Sequence, residues 1–425
     1  MGSAMAESNI KSTVEAVWRM ESAKIIAKLA RMLRDVGLAE ELAQDALVTA
    51  LEQWPVSGVP NNPGAWLMTT AKNRALDQLR RFKLLQRKHE TIAHDAELLE
   101  AKPPAPDEES DDIGDDLLRL IFIASHPVLS TEARVALTLR LLGGLNTAEI
   151  ARAFLVPEPT IGQRIVRAKR ALAEAKVPFE LPRAEELATR LASVLEVIYL
   201  IFNEGYAATA GEEWMRPALC DEALRLGRIL AELAPREPEV HGLIALMEIQ
   251  ASRAGARTNS SGQPILLLDQ DRSRWDQLLI RRGLTALARA EALGGALGPY
   301  ALQAAVAACH ARARNAGETD WVRIVALYDA LAQLAPSPVV DLNRAVAISM
   351  AFGPDAALEI VDELVADARL STYHLLPSVR GDLLEKLGRF DEARTEFARA
   401  AALAQNARER SLLLGRAAAC GAVAH

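Results

Sequence analysis

Residues 145–172 read LNTAEIARAFLVPEPTIGQRIVRAKRAL, and the parsing of this stretch decides the fold. Asn146 and Glu149 have capping-box spacing: the Asn side chain accepts from the Glu149 backbone N–H, and the Glu carboxylate reaches back. A helix is therefore predicted from about Thr147, with Ile150, Ala151 and Phe154 on its apolar face. Leu155-Val156-Pro157 ends it, because proline lacks a donor and disfavours helix in the residue before it. A second helix opens at 157–159. Ile161, Ile165 and Ala168 recur at helical spacing and bury, which turns Gly162, Gln163, Arg164 and Arg167 outward or to the flank. The pattern is a helix-turn-helix whose second helix is polar and cationic outside. Such a helix fits a DNA major groove, where Arg bonds guanine and Gln bonds adenine, with Lys169 and Arg170 left for phosphates. The competing reading is a helical hairpin with a solvated basic face.

Outward from this motif, composition sets the class. A chain of 425 residues is long enough for two or three domains, and 50% hydrophobic content with only 4% aromatics predicts an all-α protein. The net charge of -7 conceals local asymmetry. Between 64 and 90, seven cations face two carboxylates, net +5; between 117 and 176, nine face four, again +5. Residues 107–116 hold seven carboxylates and no cation. Two basic regions thus flank an acidic spacer.

Three separated cysteines, Cys220, Cys309 and Cys420, give neither a disulfide framework nor metal-ligand spacing, and are expected to be buried apolar residues of a reducing cytosol. No apolar run reaches the roughly 18 residues of a membrane span, and no signal-peptide pattern is present, so a cytoplasmic protein with no membrane partner is expected. The opening MGSAM reads as an added leader before a native Met5. Scattered histidines, no nucleophile-base arrangement and no phosphate-cradling glycine loop argue against an enzyme, a cofactor or a metal.

In chain order, residues 12–34 keep helical spacing through Val14, Val17, Ile25, Leu29 and Leu33, with Gly37 as the expected C-cap. A second helix is predicted from about 39 to 54, its polar face carrying Glu40, Glu41, Gln44, Asp45 and Glu52. Residues 55–64, PVSGVPNNPG, read as a stiff exposed loop. A third helix, 65 to about 88, packs Trp66, Leu67, Ala71, Ala75 and Leu79 inward and turns the first basic patch outward.

The order AEELAQDALVTALEQW, proline-rich loop, NPGAWLMTTAKNRALDQLRR resembles the second conserved region of the extracytoplasmic-function (ECF) branch of the bacterial sigma-70 family. Residues 145–172 resemble that family's fourth region. The resemblance implies a non-enzymatic transcription-initiation subunit that binds core RNA polymerase and promoter DNA. It assigns Glu41, Gln44 and Asp45 to the polymerase clamp, and Ser57, Asn61 and Asn62 to capture of an unstacked base of the -10 element. It assigns Lys72, Asn73, Arg74, Asp77, Arg80 and Arg81 to the remaining -10 contacts, and Glu158, Thr160, Gly162, Gln163, Arg164, Arg167, Lys169 and Arg170 to the -35 element. Physical chemistry is consistent with this: cations hold phosphates by counterion release, and a polar loop beside Trp66 offers a pocket for a base. For Trp66 itself, plain core is a slightly better reading than base stacking. The expected domains are 12–89 for region 2, 90–114 for an acidic linker, and 115–176 for region 4. The linker is either a spacer or a phosphate mimic on the polymerase.

Residues 177–425 lie beyond a minimal sigma factor of this branch. LAELAP at 230–235 recurs as LAQLAP at 331–336, an offset of 101 and close to three tetratricopeptide (TPR) periods of about 34. LGRFDEA at 387–393 has the turn of one such repeat. A TPR-like helical superhelix, each unit buried on its neighbours, is expected, with a regulatory protein as a possible partner. Residues 258–271, TNSSGQPILLLDQD, interrupt it as a short hairpin; Asp269 and Asp271 read as helix caps or, less simply, as a metal site. YLIFNEGYAAT (199–209), DQDRSRWD (269–276) and SPVVDLNRAVA (337–347) resemble stretches of sigma factors with long TPR-like extensions. The alternative reading is a helix-turn-helix regulator with a ligand-sensing or partner-sensing repeat domain, acting without core polymerase; it leaves 39–81 without a purpose.

Overall fold

The protein is described from a computed structural model covering residues 2–90, 112–294 and 297–423. Eighteen α-helices carry the described chain, and its only β pairings are two isolated bridges. It divides into two compact units, Met1–Val197 and Ile198–His425.

In the first unit, α1 (Gly2–Leu33) is the hub, packing on α2 (Val36–Ser57), α3 (Pro63–Glu90), α4 (Asp112–Ala124) and α5 (Thr131–Leu141). It serves several partners because Val14, Trp18, Ile25, Ile26, Leu29 and Ala30 bury more than one face. The break after α1 differs from the expected glycine cap. Arg34 takes the left-handed conformation at φ 54, Asp35 caps α2 by accepting from Leu38 N at 3.0 Å, and Gly37 lies inside α2. α2 lays a seam of Ala39, Ala43, Ala46 and Ala50 on its neighbours, small side chains that permit close helix approach, and ends on buried Trp54.

The loop after α2 is shorter than its prolines suggested. α2 runs through Pro55 to Ser57, since a proline in an exposed last turn forfeits only one backbone bond. Gly58, at φ 81, turns the chain, and Asn62 caps α3 by accepting from Ala65 N at 3.0 Å, with Pro63 at the favoured first helical position.

The expected linker, 90–114, lies outside the described residues save for Glu90 and the start of α4. Its acidic run does not end as linker: Asp116 is 1% exposed and pairs with Arg119 at 2.7 Å and Arg31 at 3.6 Å, pinning α4 to α1. Burial pushes the Asp116 carboxyl up, against the pull of Arg31 and Arg119. The helix-turn-helix is α6 (Thr147–Phe154) and α7 (Glu158–Glu174), packed on α5, which in turn rests on α4. Gly144 precedes it at φ 65, where a Cβ would meet Ser22 Oγ at 2.8 Å, so this turn presses directly on α1. The two expected regions therefore share one packed unit.

α8 (Ala184–Tyr206) crosses the division between units. Its first half belongs with α4 and α5: Arg190 donates to Phe122 O at 2.9 Å, Ser193 Oγ to Ser125 O at 2.7 Å, and Arg134 pairs with Glu196 at 2.9 Å. The extension, expected from 177, thus gives its first twenty or so residues to the N-terminal unit.

The second unit stacks consecutive helices: α9 (Pro217–Leu233), α10 (Pro238–Ala251), α11 (Gln277–Ala292), α12 (Pro299–Arg312), α13 (Trp321–Leu334), α14 (Pro338–Phe352), α15 (Pro354–Leu364), α16 (Leu375–Lys386), α17 (Phe390–Leu403) and α18 (Ala407–Val423). The two LA(E/Q)LAP copies adopt one structure. Each ends a helix, with Ala234 N on Leu230 O and Ala335 N on Leu331 O, both at 2.8 Å, and a proline-started helix follows. Gly242 marks a close crossing of α10 and α12, since a Cβ there would lie 2.6 Å from Ala301 N. The unit is not held by neighbour packing alone. Buried Asn406 donates to Ala208 O and Glu213 O across nearly the whole unit, tying its last hairpin to the loop after α8.

Candidate nucleic-acid interface

The helix-turn-helix has the geometry its sequence dictates. Asn146 Oδ1 accepts from Glu149 N and Glu149 Oε2 from Asn146 N, both at 2.8 Å, closing the capping box. Leu155 makes the turn in the left-handed region at φ 50, without glycine. Ile161, Ile165, Ala168 and Leu172 bury the inner face of α7. Glu158, Gln163, Arg167 and Arg170 are exposed on the other side; Thr160, Gly162 and Arg164 are half-buried. Arg170 is paired with Glu174 at 2.6 Å, a contact open to water and cheaply broken.

Gly162 needs no glycine for protein packing, since a Cβ would meet only Thr147 Cγ2 at 4.0 Å. Gly162→Ala is therefore expected to stabilise α7 by about 0.5–1 kcal/mol, read as a raised unfolding midpoint. If the helix approaches a groove there, the same change lowers duplex affinity.

Lys169 is placed differently from its neighbours. Its Nζ pairs with the carboxylate of Glu40, which also accepts from Arg140 Nε at 2.7 Å. Glu40 is 3% exposed, so a residue read as part of the polar face of α2 instead ties that helix to α5 and α7. Gln44 donates to the same carboxylate. Glu40 and Arg140 were missed by sequence reasoning, because a buried carboxylate looks like an exposed one until its partners, 100 and 129 residues away, are known. Arg19 and Glu149, at 2.6 Å, make a second tie between α1 and α6. Trp18, Gln44, Val48, Leu51, Asn146 and Arg152 line a groove of about 550 Å³ beside these ties.

Glu41 and Asp45 stand exposed on α2. Asp45 faces Arg74 at 3.3 Å, and Arg74 Nη2 donates to Thr49 Oγ1 at 2.6 Å, so a residue expected on DNA and one expected on polymerase bond each other across α2 and α3. Ser57 Oγ is turned back onto Gln53 O at 2.9 Å, whereas Asn61 is exposed in the loop and Asn62 is occupied as a cap. Trp66 is half-buried and edge-on to Trp54, ring centroids 5.5 Å apart, so core packing accounts for its position. Lys72 and Asn73 lie on the next turns. Asp77, Arg80 and Arg81 are exposed, with Arg80 and Asp77 at 3.2 Å. The loop and the arginines are about 25 Å apart along α3 by helical rise, a spread suited to a strand rather than to a compact ligand.

A cationic α3 and a helix-turn-helix whose second helix exposes Gln163, Arg167 and Arg170 thus lie in one packed unit. Residues 18–83 match the family described as Sigma-70 region 2, residues 119–172 that described as Sigma-70, region 4, and residues 190–291 a family of unknown function, DUF6596. The chain is 47% identical over 386 residues to an uncharacterized protein of Rhizobium meliloti (strain 1021), covering 90% of this chain and 89% of that one. It is 28% identical over 175 residues to the ECF RNA polymerase sigma factor SigC of Mycobacterium tuberculosis (strain CDC 1551 / Oshkosh), covering 41% of this chain and 85% of the relative. Against the RNA polymerase sigma-H factor of Pseudomonas aeruginosa, identity is 28% over 158 residues, 36% of this chain and 81% of the relative. The chain belongs to the ECF branch of the sigma-70 family, in a form with a long helical C-terminal extension. No helix among the described residues is long and apolar enough to cross a membrane.

Proposed function

We propose that this chain acts in the cytoplasm as an alternative sigma subunit that binds core RNA polymerase, reads the -35 element with α7 and assists opening of the -10 element with α3 and the loop before it. The observation that carries this reading is the pairing of an exposed Gln163-Arg167-Arg170 face with an exposed Arg80-Arg81 face on one packed unit. Glu41 and Asp45 are the proposed polymerase contacts. Binding to core polymerase followed by run-off transcription tests it, and failure to bind core overturns it. Arg167→Ala is expected to weaken promoter binding by about 1–3 kcal/mol if it reads a base edge, measured by titration of labelled duplex at fixed salt.

The extension is proposed to regulate or support this activity, with a protein partner as one input. A chain truncated after Val197 is the informative comparison, because truncation at 176 would also remove the α8 contacts of Arg190 and Ser193. Higher transcription from it indicates inhibition by the extension, lower transcription indicates support, and unchanged transcription refutes a regulatory role.

A further inference from the structure

Two of the stretches that resemble extended sigma factors meet in space, and neither is used by the promoter-binding reading. Tyr206, from YLIFNEGYAAT, and Trp275, from DQDRSRWD, lie on either side of Arg253: the guanidinium carbon is 5.7 Å from the tyrosine ring centroid and 5.8 Å from the indole centroid. Arg257 stacks on Tyr206 at 3.6 Å and lies over Trp214 at 5.5 Å, and Arg272 lies over Trp275 at 5.0 Å, so three cations and three rings alternate. The third such stretch, 337–347, is not part of this cluster; its Arg344 pairs with Asp329 at 2.5 Å.

The outer two cations have structural partners. Arg257, 6% exposed, donates to Tyr206 O, and Arg272 donates to His310 O at 2.6 Å and Ala313 O at 2.8 Å. Arg253 is different: it is half-buried, and its Nε is buried without a hydrogen-bond partner. Beside it, the Tyr206 hydroxyl and Trp275 Nε1 are also buried and unpartnered, Trp275 being 3% exposed. No carboxylate forms a salt bridge with any of the three arginines among the described residues; the nearby Glu204 is taken by Arg216. Burial, then Arg253 and Arg272, lowers the His310 pKa to about 4, so that ring is neutral and adds no charge.

Excess positive charge costs free energy when buried, and so does each unmade donor bond. Water can satisfy the donors, but an acceptor-only anion meets the surplus charge and the surplus N–H and O–H donors together. We propose that the cluster around Arg253 is a binding site for a small ligand bearing an oxyanion, a phosphate or a carboxylate, held by Arg253 with the Tyr206 hydroxyl and the Trp275 indole N–H. Such a site gives the extension a small-molecule input separate from promoter DNA, and it does not depend on the sigma reading.

The test is thermal unfolding of the full chain in sodium phosphate, acetate and chloride at matched ionic strength, with wild type, Arg253→Gln and Arg281→Gln, an exposed arginine of α11. The wild-type midpoint is expected to rise in phosphate or acetate over chloride, the preferred ion naming the group. Arg281→Gln should keep the difference and Arg253→Gln should lose it. Should Arg253→Gln fail to fold, Trp275→Phe removes one donor and is expected to weaken the apparent anion affinity by about tenfold, the scale of one charge-assisted hydrogen bond. Equal wild-type midpoints in all three salts, or an anion effect undiminished by these substitutions, would overturn the proposal in favour of bound water or surface screening.

Discussion

Glu40→Ala is expected to destabilise the N-terminal unit by about 3 kcal/mol. Removing one member of a buried ion pair costs about 3–5 kcal/mol because the partner charge is stranded. Here Arg140 and Lys169 keep 18% and 19% side-chain exposure, so each can turn partly to water, which places the effect at the lower end. Hydrogen exchange of the α2 and α7 amides is the appropriate measurement, since two units need not unfold together. Faster exchange in both helices is expected, and unchanged exchange would mean the contact contributes nothing. The substitution also frees a cation of the proposed recognition helix. If Lys169 then meets a phosphate, promoter binding gains about one counterion: log affinity against log salt steepens by about 0.9, and Glu40→Ala combined with Lys169→Met returns it. Stability and promoter affinity are thus predicted to move in opposite directions.

Trp54→Ala is the second large effect, a loss of about 3–5 kcal/mol for an aromatic that is 1% exposed. Trp54→Phe should cost far less, because the Trp54 indole N–H has no partner to lose. The functional consequence is local. Trp54 and Trp66 bracket residues 58–62, so their packing sets the loop that the proposal assigns to the unstacked base. Run-off transcription from duplex promoter is expected to fall with Trp54→Ala, and a template with a preopened -10 region should restore it. An equal loss on both templates would indicate general unfolding.

Much of the helix-turn-helix was legible, because its determinants are near in sequence. Asn146 and Glu149 are three residues apart, and the buried positions of α7 recur by helical period. The repeat copies at 230–235 and 331–336 were legible for the same reason and form the same cap. Helix ends were less so. Arg34 and Leu155 make left-handed turns that their side chains do not announce, and Pro55 continues a helix it would stop in an interior position. The cost of a left-handed residue, roughly 1–2 kcal/mol, is small enough for tertiary packing to override.

The candidate site divides the same way. That 64–90 and 117–176 are basic is a property of composition, and the outward turn of Gln163, Arg167, Arg80 and Arg81 follows from periodicity. Which charges are free is a different matter. Arg74 is held by Asp45 and Thr49, Lys169 by Glu40, and Asp116 leaves the acidic run to bury against α1. The sequence by itself determined the helices, their faces, the two basic regions and the repeated caps, all governed by interactions within a few turns. Only the tertiary structure decided that regions 2 and 4 share one unit, that α8 is divided between units, and that Tyr206, Arg253 and Trp275 come together. The physical reason is range: helical period is fixed by neighbours three and four residues away, whereas the fate of a charge is fixed by whichever distant partner excludes water from it.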